Sequence, residues 1–182
     1  ARIALLGHSE GGAIAPLVAM DDPQLVGIVL LAGPGKSGRA ILTDQFRRPI
    51  ENAPGLSDSA RAAQLAKVPE MVQQFSQANV WTHWFVDYDP LPALRRVRVP
   101  VLILQGALDR QVSAGQADTV AATLRAAGNR DVIEKGYPGL NHLFLHTDGD
   151  GSPIEYPGLR DTKLPTAILD DLAAWLTVRL QR

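Results

Sequence analysis

The sequence predicts an α/β fold built on a parallel sheet. Three runs, Ile3 to Leu6, Val26 to Ala32 and Val99 to Gln105, are nearly continuous in apolar residues and bounded by Gly or Pro, the pattern of strands buried on both faces. A fourth run, Asp131 to Tyr137, is shorter and more polar, as suits a strand nearer a sheet edge. Helically spaced segments separate and follow these runs, and alternating strands and helices join parallel strands by right-handed crossovers.

The first run leads straight into Gly7-His8-Ser9-Glu10-Gly11-Gly12 and the helix-like stretch Ala13 to Met20. A strand turning so sharply into a helix strains its turn residue, and only residues without a Cβ fit beside it; Gly7, Gly11 and Gly12 stand where that turn needs them. Pro16 inside the helix removes one backbone hydrogen bond and reads as a tolerated kink. The second run exits through Gly33-Pro34-Gly35-Lys36-Ser37, which ends like a phosphate-binding loop. Leu30 stands where that pattern requires its first glycine, so the segment reads as a turn out of the strand.

Residues 36–94 are too many for one crossover, and Leu65, Val68, Val72 and Phe75 follow three- and four-residue spacings. This predicts a helical cap at 36–94, inserted between core segments 1–35 and 95–182, with Pro90-Leu91-Pro92 marking the return to the sheet. Trp81, Trp84, Phe85 and Tyr88 crowd its end; they read as cap core in preference to the lining of a substrate pocket. After the third strand comes a helix with Ser113 as N-cap, Gln116 as its capping-box partner and Gly128-Asn129 as its stop. Its inner face is Ala117, Val120, Ala121 and Leu124. The last segment, Lys163 to Gln181, places Ile168, Leu172, Trp175, Leu176 and Leu180 at helical spacing to pack on the sheet.

Composition narrows the partners. A chain of 182 residues with 46% hydrophobic residues can bury a core, and a net charge of −1 without like-charge runs gives no reason to expect nucleic acid or an anionic membrane. No apolar stretch reaches the roughly 20 residues of a spanning helix. The lack of cysteine excludes a disulfide framework and a thiolate metal site but leaves the compartment open.

The chemistry lies in three turns. A serine hydroxyl is a poor nucleophile unless a base takes its proton, and the base needs an acid to fix its tautomer. Ser9 follows the first strand. Asp109 follows the third, in Gly106-Ala107-Leu108-Asp109-Arg110-Gln111-Val112, and His142 follows the fourth, in Gly139-Leu140-Asn141-His142. Parallel sheets build sites at these carboxyl ends. His146 is an alternative base, and Asp148 and Asp150 are alternative acids, although their Gly-rich setting reads as a surface turn. His8 reads as packing within its turn and His83 as a cap residue; Glu10 is a carboxylate favourably placed at a helix N-terminus.

In the order Ser9, Asp109, His142, these motifs resemble the carboxyl-terminal portion of an α/β-hydrolase, in the branch of serine esterases and serine-aminopeptidase-like hydrolases that carry a cap between strands 6 and 7. The resemblance covers nearly the whole chain. It implies a partial α/β-hydrolase fold in which the sheet corresponds to strands 5 to 8 and the first half is absent. It also implies Ser9 as nucleophile, Asp109 as acid, His142 as general base and the Glu10 N–H as one oxyanion donor; the family's second donor comes from an earlier strand's loop that this sequence does not include. The expected reaction is hydrolysis of a small carboxylic ester through an acyl-enzyme, without metal or organic cofactor. The alternatives are aminopeptidase-like or acyltransferase activity, or a non-catalytic fragment or interaction module. In the family a further strand pairs with Ile3 to Leu6, so the expected partners are the missing half of the fold or a second copy at that open edge. The chain alone is expected to be poorly stable and to have little or no activity.

Overall fold

The computed structural model describes residues 2–160 and 162–181. These residues form two compact units, one of Ala1–Gly35 and Pro90–Arg182 and one of Lys36–Asp89. The first unit holds a four-stranded parallel sheet, β1 (Ala4–His8), β2 (Gly27–Leu31), β3 (Val101–Gly106) and β4 (Val132–Tyr137), in the spatial order β1-β2-β3-β4. The registers pair His8 with Leu31, Leu31 with Leu104, and Leu104 with Lys135.

Alternation along the strands sends side chains to opposite faces. Ile28, Leu30, Val101 and Ile103 join Ala15 and Ala19 of α1 (Glu10–Ala19) and Ala117, Val120, Ala121 and Leu124, the expected inner face of the helix after β3. Val29, Leu31, Leu102 and Leu104 join Leu140, Phe144, Ile168 and Trp175 on the other face, with Leu172 and Leu176 packed against them. Helices thus cover both faces of β2 and β3, which explains their unbroken apolar runs. β1 differs from the doubly buried strand that the sequence suggests: Ile3 is 54% and Leu6 53% exposed. It is an edge strand in this sheet, with a row of backbone groups that β2 does not reach.

The second unit contains α2 (Gly38–Glu51), α3 (Asp58–Leu65), α4 (Val68–Ser76) and α5 (Val80–Asp87). Its core is Leu42, Val68, Val72 and Val86, with Phe46, Ile50, Phe75 and Phe85 packed against it. Ser37 and Ser57 cap α2 and α3 by accepting from the backbone N–H groups of Ala40 and Ala60, and Asn79 forms a capping box with Thr82. Leu65 closes α3 and Val68 opens α4, so the helical spacing read there spans two helices. Trp81 and Trp84, expected in the core, are 44% and 38% exposed and stack on Phe85 and Tyr88 respectively. The unit ends at Asp89, short of residue 94, because α6 (Leu91–Leu94) delivers Leu94 into the sheet's core.

Two further helices complete the first unit, α7 (Gly115–Ala126) and α8 (Thr166–Leu180). Ser113 is not the N-cap of α7; Ala114 is, without a side-chain cap. Gln116 is drawn inward: its Oε1 accepts from the Gly35 N–H at 3.0 Å while its Nε2 donates to the Ser113 hydroxyl, a demand from another part of the chain that local spacing does not reveal. The stop at Gly128-Asn129 follows the expected pattern: Gly128 has φ +93°, and the N–H of Asn129 returns to the Leu124 carbonyl.

Candidate active site

The turn after β1 has the strain that its glycines imply. Ser9 has φ 54° and ψ −112°, a conformation that costs a non-glycine residue about 1–3 kcal/mol. A Cβ on Gly7 would lie 2.0 Å from the Gly11 carbonyl oxygen, and one on Gly12 would lie 2.6 Å from the Gly33 Cα, so both must be glycine. Gly11 faces open space and carries no such requirement. Ser9 occupies the N-cap position of α1, yet its side chain makes no capping bond, whereas Ser37 and Ser57 spend their hydroxyls that way. The strained backbone withholds the Ser9 hydroxyl from its helix.

Asp109 and His142 come together. His142 Nδ1 lies 2.8 Å from Asp109 Oδ2, and the two residues are 4% and 2% exposed. An ionised carboxylate only accepts, so Nδ1 carries the proton and the Nε2 lone pair of a neutral imidazole is left to take one. Burying such a pair is tolerable only when its remaining lone pairs are met. They are: Oδ1 accepts from the backbone N–H groups of Gln111 and Val112 at 2.8 and 2.9 Å, and Oδ2 also accepts from Gln105 Nε2 at 2.9 Å. The same amide donates to the carbonyls of Val112 and Gly106. Beside this network stands Tyr156, bonded to Gln111; burial raises its phenol pKa, and the charge of Asp109 adds to the rise.

The histidine loop must travel to reach Ser9. β4 and β1 are opposite edges of the sheet, separated by three strand spacings, about 14 Å at ~4.8 Å each. The loop first crosses the end of β3: Leu108 N–H donates to the Leu140 carbonyl, and a Cβ on Gly106 would lie 2.6 Å from the carbonyl oxygens of both Leu140 and Asn141. Only glycine at 106 allows that approach. Inside the loop, buried Asn141 accepts the N–H groups of Leu143 and Leu145 on its Oδ1, and Phe144 takes φ +57°. At the far end, His8 Nε2 lies 2.8 Å from the His142 carbonyl oxygen, with the two rings 4.8 Å apart. The residue beside Ser9 therefore touches His142. Among the described residues no hydrogen bond joins the Ser9 hydroxyl to the imidazole; such contacts are often long in unliganded sites and tighten around substrate.

The alternative residues take no part in the contact between Asp109 and His142. His146 is exposed, and His83 bonds to Ser76 within the helical unit. Asp148 and Asp150 sit in an exposed turn organised by Glu155, whose carboxylate accepts from Thr147 and from the N–H groups of Asp150 and Gly151. Those bonds, Thr147 first, lower the Glu155 pKa. Sequence reasoning missed Gln105 and Asn141. The signal for Gln105 was present, a lone carboxamide ending a buried apolar strand just before the acid loop; Asn141 had none beyond its place beside His142. Reading His8 as packing within its turn missed its contact with a residue 134 positions away.

A model described as the alpha/beta hydrolase family matches residues 1–152. The chain belongs to that family. It is similar to esterase EstD of Thermotoga maritima, 23% identical over 180 residues that cover 96% of this chain and 42% of that protein, so it spans well under half of that relative's length. Among solved structures, esterase RhEst1 from Rhodococcus sp. aligns with a TM-score of 0.51 at 16% identity, covering 96% of this hydrolase-family chain and 64% of that one. An alpha/beta fold family hydrolase from Bacillus anthracis aligns at 0.50 and 17%, covering 78% and 61% respectively. At such identities the structural likeness establishes the fold.

Proposed function

We propose that this chain carries the triad of a serine hydrolase that cleaves carboxylic esters through an acyl-enzyme. The observation that carries the reading is the buried 2.8 Å contact of Asp109 with His142, whose loop reaches the strained turn of Ser9. The similarity to an esterase supports an ester as substrate. In this reading Ser9 Oγ attacks the ester carbonyl while His142 Nε2 takes the hydroxyl proton, and Asp109 stabilises the imidazolium so formed. The Glu10 N–H, at the N-terminus of α1, donates to the oxyanion. The tetrahedral intermediate collapses, the alcohol leaves with the proton from His142, and water then attacks the acyl-Ser9 by the same relay to release the acid. No metal or organic cofactor takes part. Aminopeptidase-like or acyltransferase chemistry would use the same residues; hydrolysis of p-nitrophenyl esters compared with aminoacyl p-nitroanilides separates the first from ester hydrolysis, and formation of a new ester with an added alcohol separates the second.

The exposed outer edge of β1 favours a second reading, a non-catalytic module that keeps the triad without turning over. The proposal for that edge is a partner, either the rest of the family's sheet or a second copy of this chain. A fluorophosphonate probe decides between the two readings. Labelling at Ser9 that disappears in Ser9→Ala and His142→Ala supports the hydrolase; a folded sample that is never labelled, even with the rest of the family's sheet supplied, supports the module.

A further inference from the structure

We propose that His8 is a positioning residue whose Nε2–H, donated to the His142 carbonyl, holds the histidine loop over the Ser9 turn. The inference rests on reading Ser9 and His142 as nucleophile and base. A carbonyl only accepts, so the 2.8 Å contact places the ring proton of His8 on Nε2. The loop's other backbone groups are used internally or toward β3: Asn141 N–H bonds to Leu145, Phe144 N–H to Asn141, and the Leu140 carbonyl to Leu108. The His142 carbonyl instead bonds outward, to His8 at the end of β1, the neighbour of Ser9. The His8 ring also lies 4.8 Å from the His142 ring and meets Phe144 edge-on at 6.1 Å, so it contacts two residues of the loop.

Position in the chain turns this contact into a device. Asp109 fixes Nδ1 of the imidazole, but one hydrogen bond alone defines a pivot about its own axis. A second anchor on the carbonyl of the same residue removes the pivot, and because it comes from the neighbour of Ser9 it ties the base to the nucleophile. Displacing such a pair by about 1 Å can cost about 100-fold in rate.

Two variants test the tether, His8→Leu, which cannot donate, and His8→Gln, which can. His8→Leu is expected to slow fluorophosphonate labelling of Ser9 by about 10- to 100-fold and to speed hydrogen exchange of the Leu143 and Leu145 amides, with the thermal midpoint unchanged. His8→Gln is expected to stay near the parent in all three. Parent-like labelling and exchange in His8→Leu would overturn the proposal, as would His8→Gln being impaired as much as His8→Leu. If the parent is never labelled, even with the rest of the family's sheet supplied, the hydrolase reading fails, and the exchange comparison still decides whether His8 holds the loop.

Discussion

Replacing Asp109 by Asn tests the site most sharply, because the carboxylate accepts four hydrogen bonds and an amide can accept on one side only. If the new NH₂ faced the backbone N–H groups of Gln111 and Val112, two buried donors would lose their acceptor, at about 1–3 kcal/mol each. If it faces His142 and Gln105, the imidazole can move its proton to Nε2 and accept on Nδ1. Gln105 keeps the carbonyls of Val112 and Gly106. The second orientation wins, and the stability cost falls to about 1–3 kcal/mol, or roughly 2–12 °C in thermal midpoint at ~2–4 °C per kcal/mol for a chain of this size. The functional cost is larger, since an imidazole protonated on Nε2 cannot take the Ser9 proton, and labelling of Ser9 should fall about 10⁴-fold. Ring ¹⁵N shifts of His142 report the tautomer whether or not the chain turns over. Parent-rate labelling, or an unchanged Nδ1-protonated ring, would refute this reasoning.

Other perturbations probe the frame of the site. Gly106→Ala sets a Cβ against two backbone carbonyls, which cannot swing aside as side chains do, and should lower Ser9 labelling about 100-fold by parting the acid and histidine loops. Trp175→Ala removes the buried anchor of α8 and should cost about 3–5 kcal/mol in urea denaturation. Asp171 accepts from Lys135 Nζ and from Tyr137 Oη, which hold its carboxyl below the usual carboxylate range. A depressed pKa contributes stability above the unfolded value and loses it as pH falls through the folded one. Asp171→Asn should therefore cost up to about 1 kcal/mol at pH 7, given the solvent exposure of the pair, and the gap to the parent should close in acid. Leu6→Lys places a charge on the exposed edge of β1 and should weaken concentration-dependent association in sedimentation; unchanged association would move the contact elsewhere.

Much of this was legible in order and spacing. Buried parallel strands cannot alternate polar and apolar residues when helices cover both faces, so β2 and β3 announce themselves. Gly7 and Gly12 mark a turn whose backbone leaves no room for a Cβ. Less legible was anything set by distant partners: Gln116 turns its carbonyl oxygen to the Gly35 N–H, and Trp81 and Trp84 are aromatic in sequence yet sit outside their unit's core.

By itself the sequence determined the α/β class, the four strands in order, and which loops carry Ser9, Asp109 and His142, because these follow from side-chain period and local turn sterics. Only the tertiary structure decided that Asp109 and His142 meet with every lone pair of the carboxylate occupied, that Gln105 and Asn141 support them, and that His8 reaches across the end of the sheet to His142. Contacts between residues far apart in the chain depend on strand order and loop paths, and one-dimensional spacing carries neither.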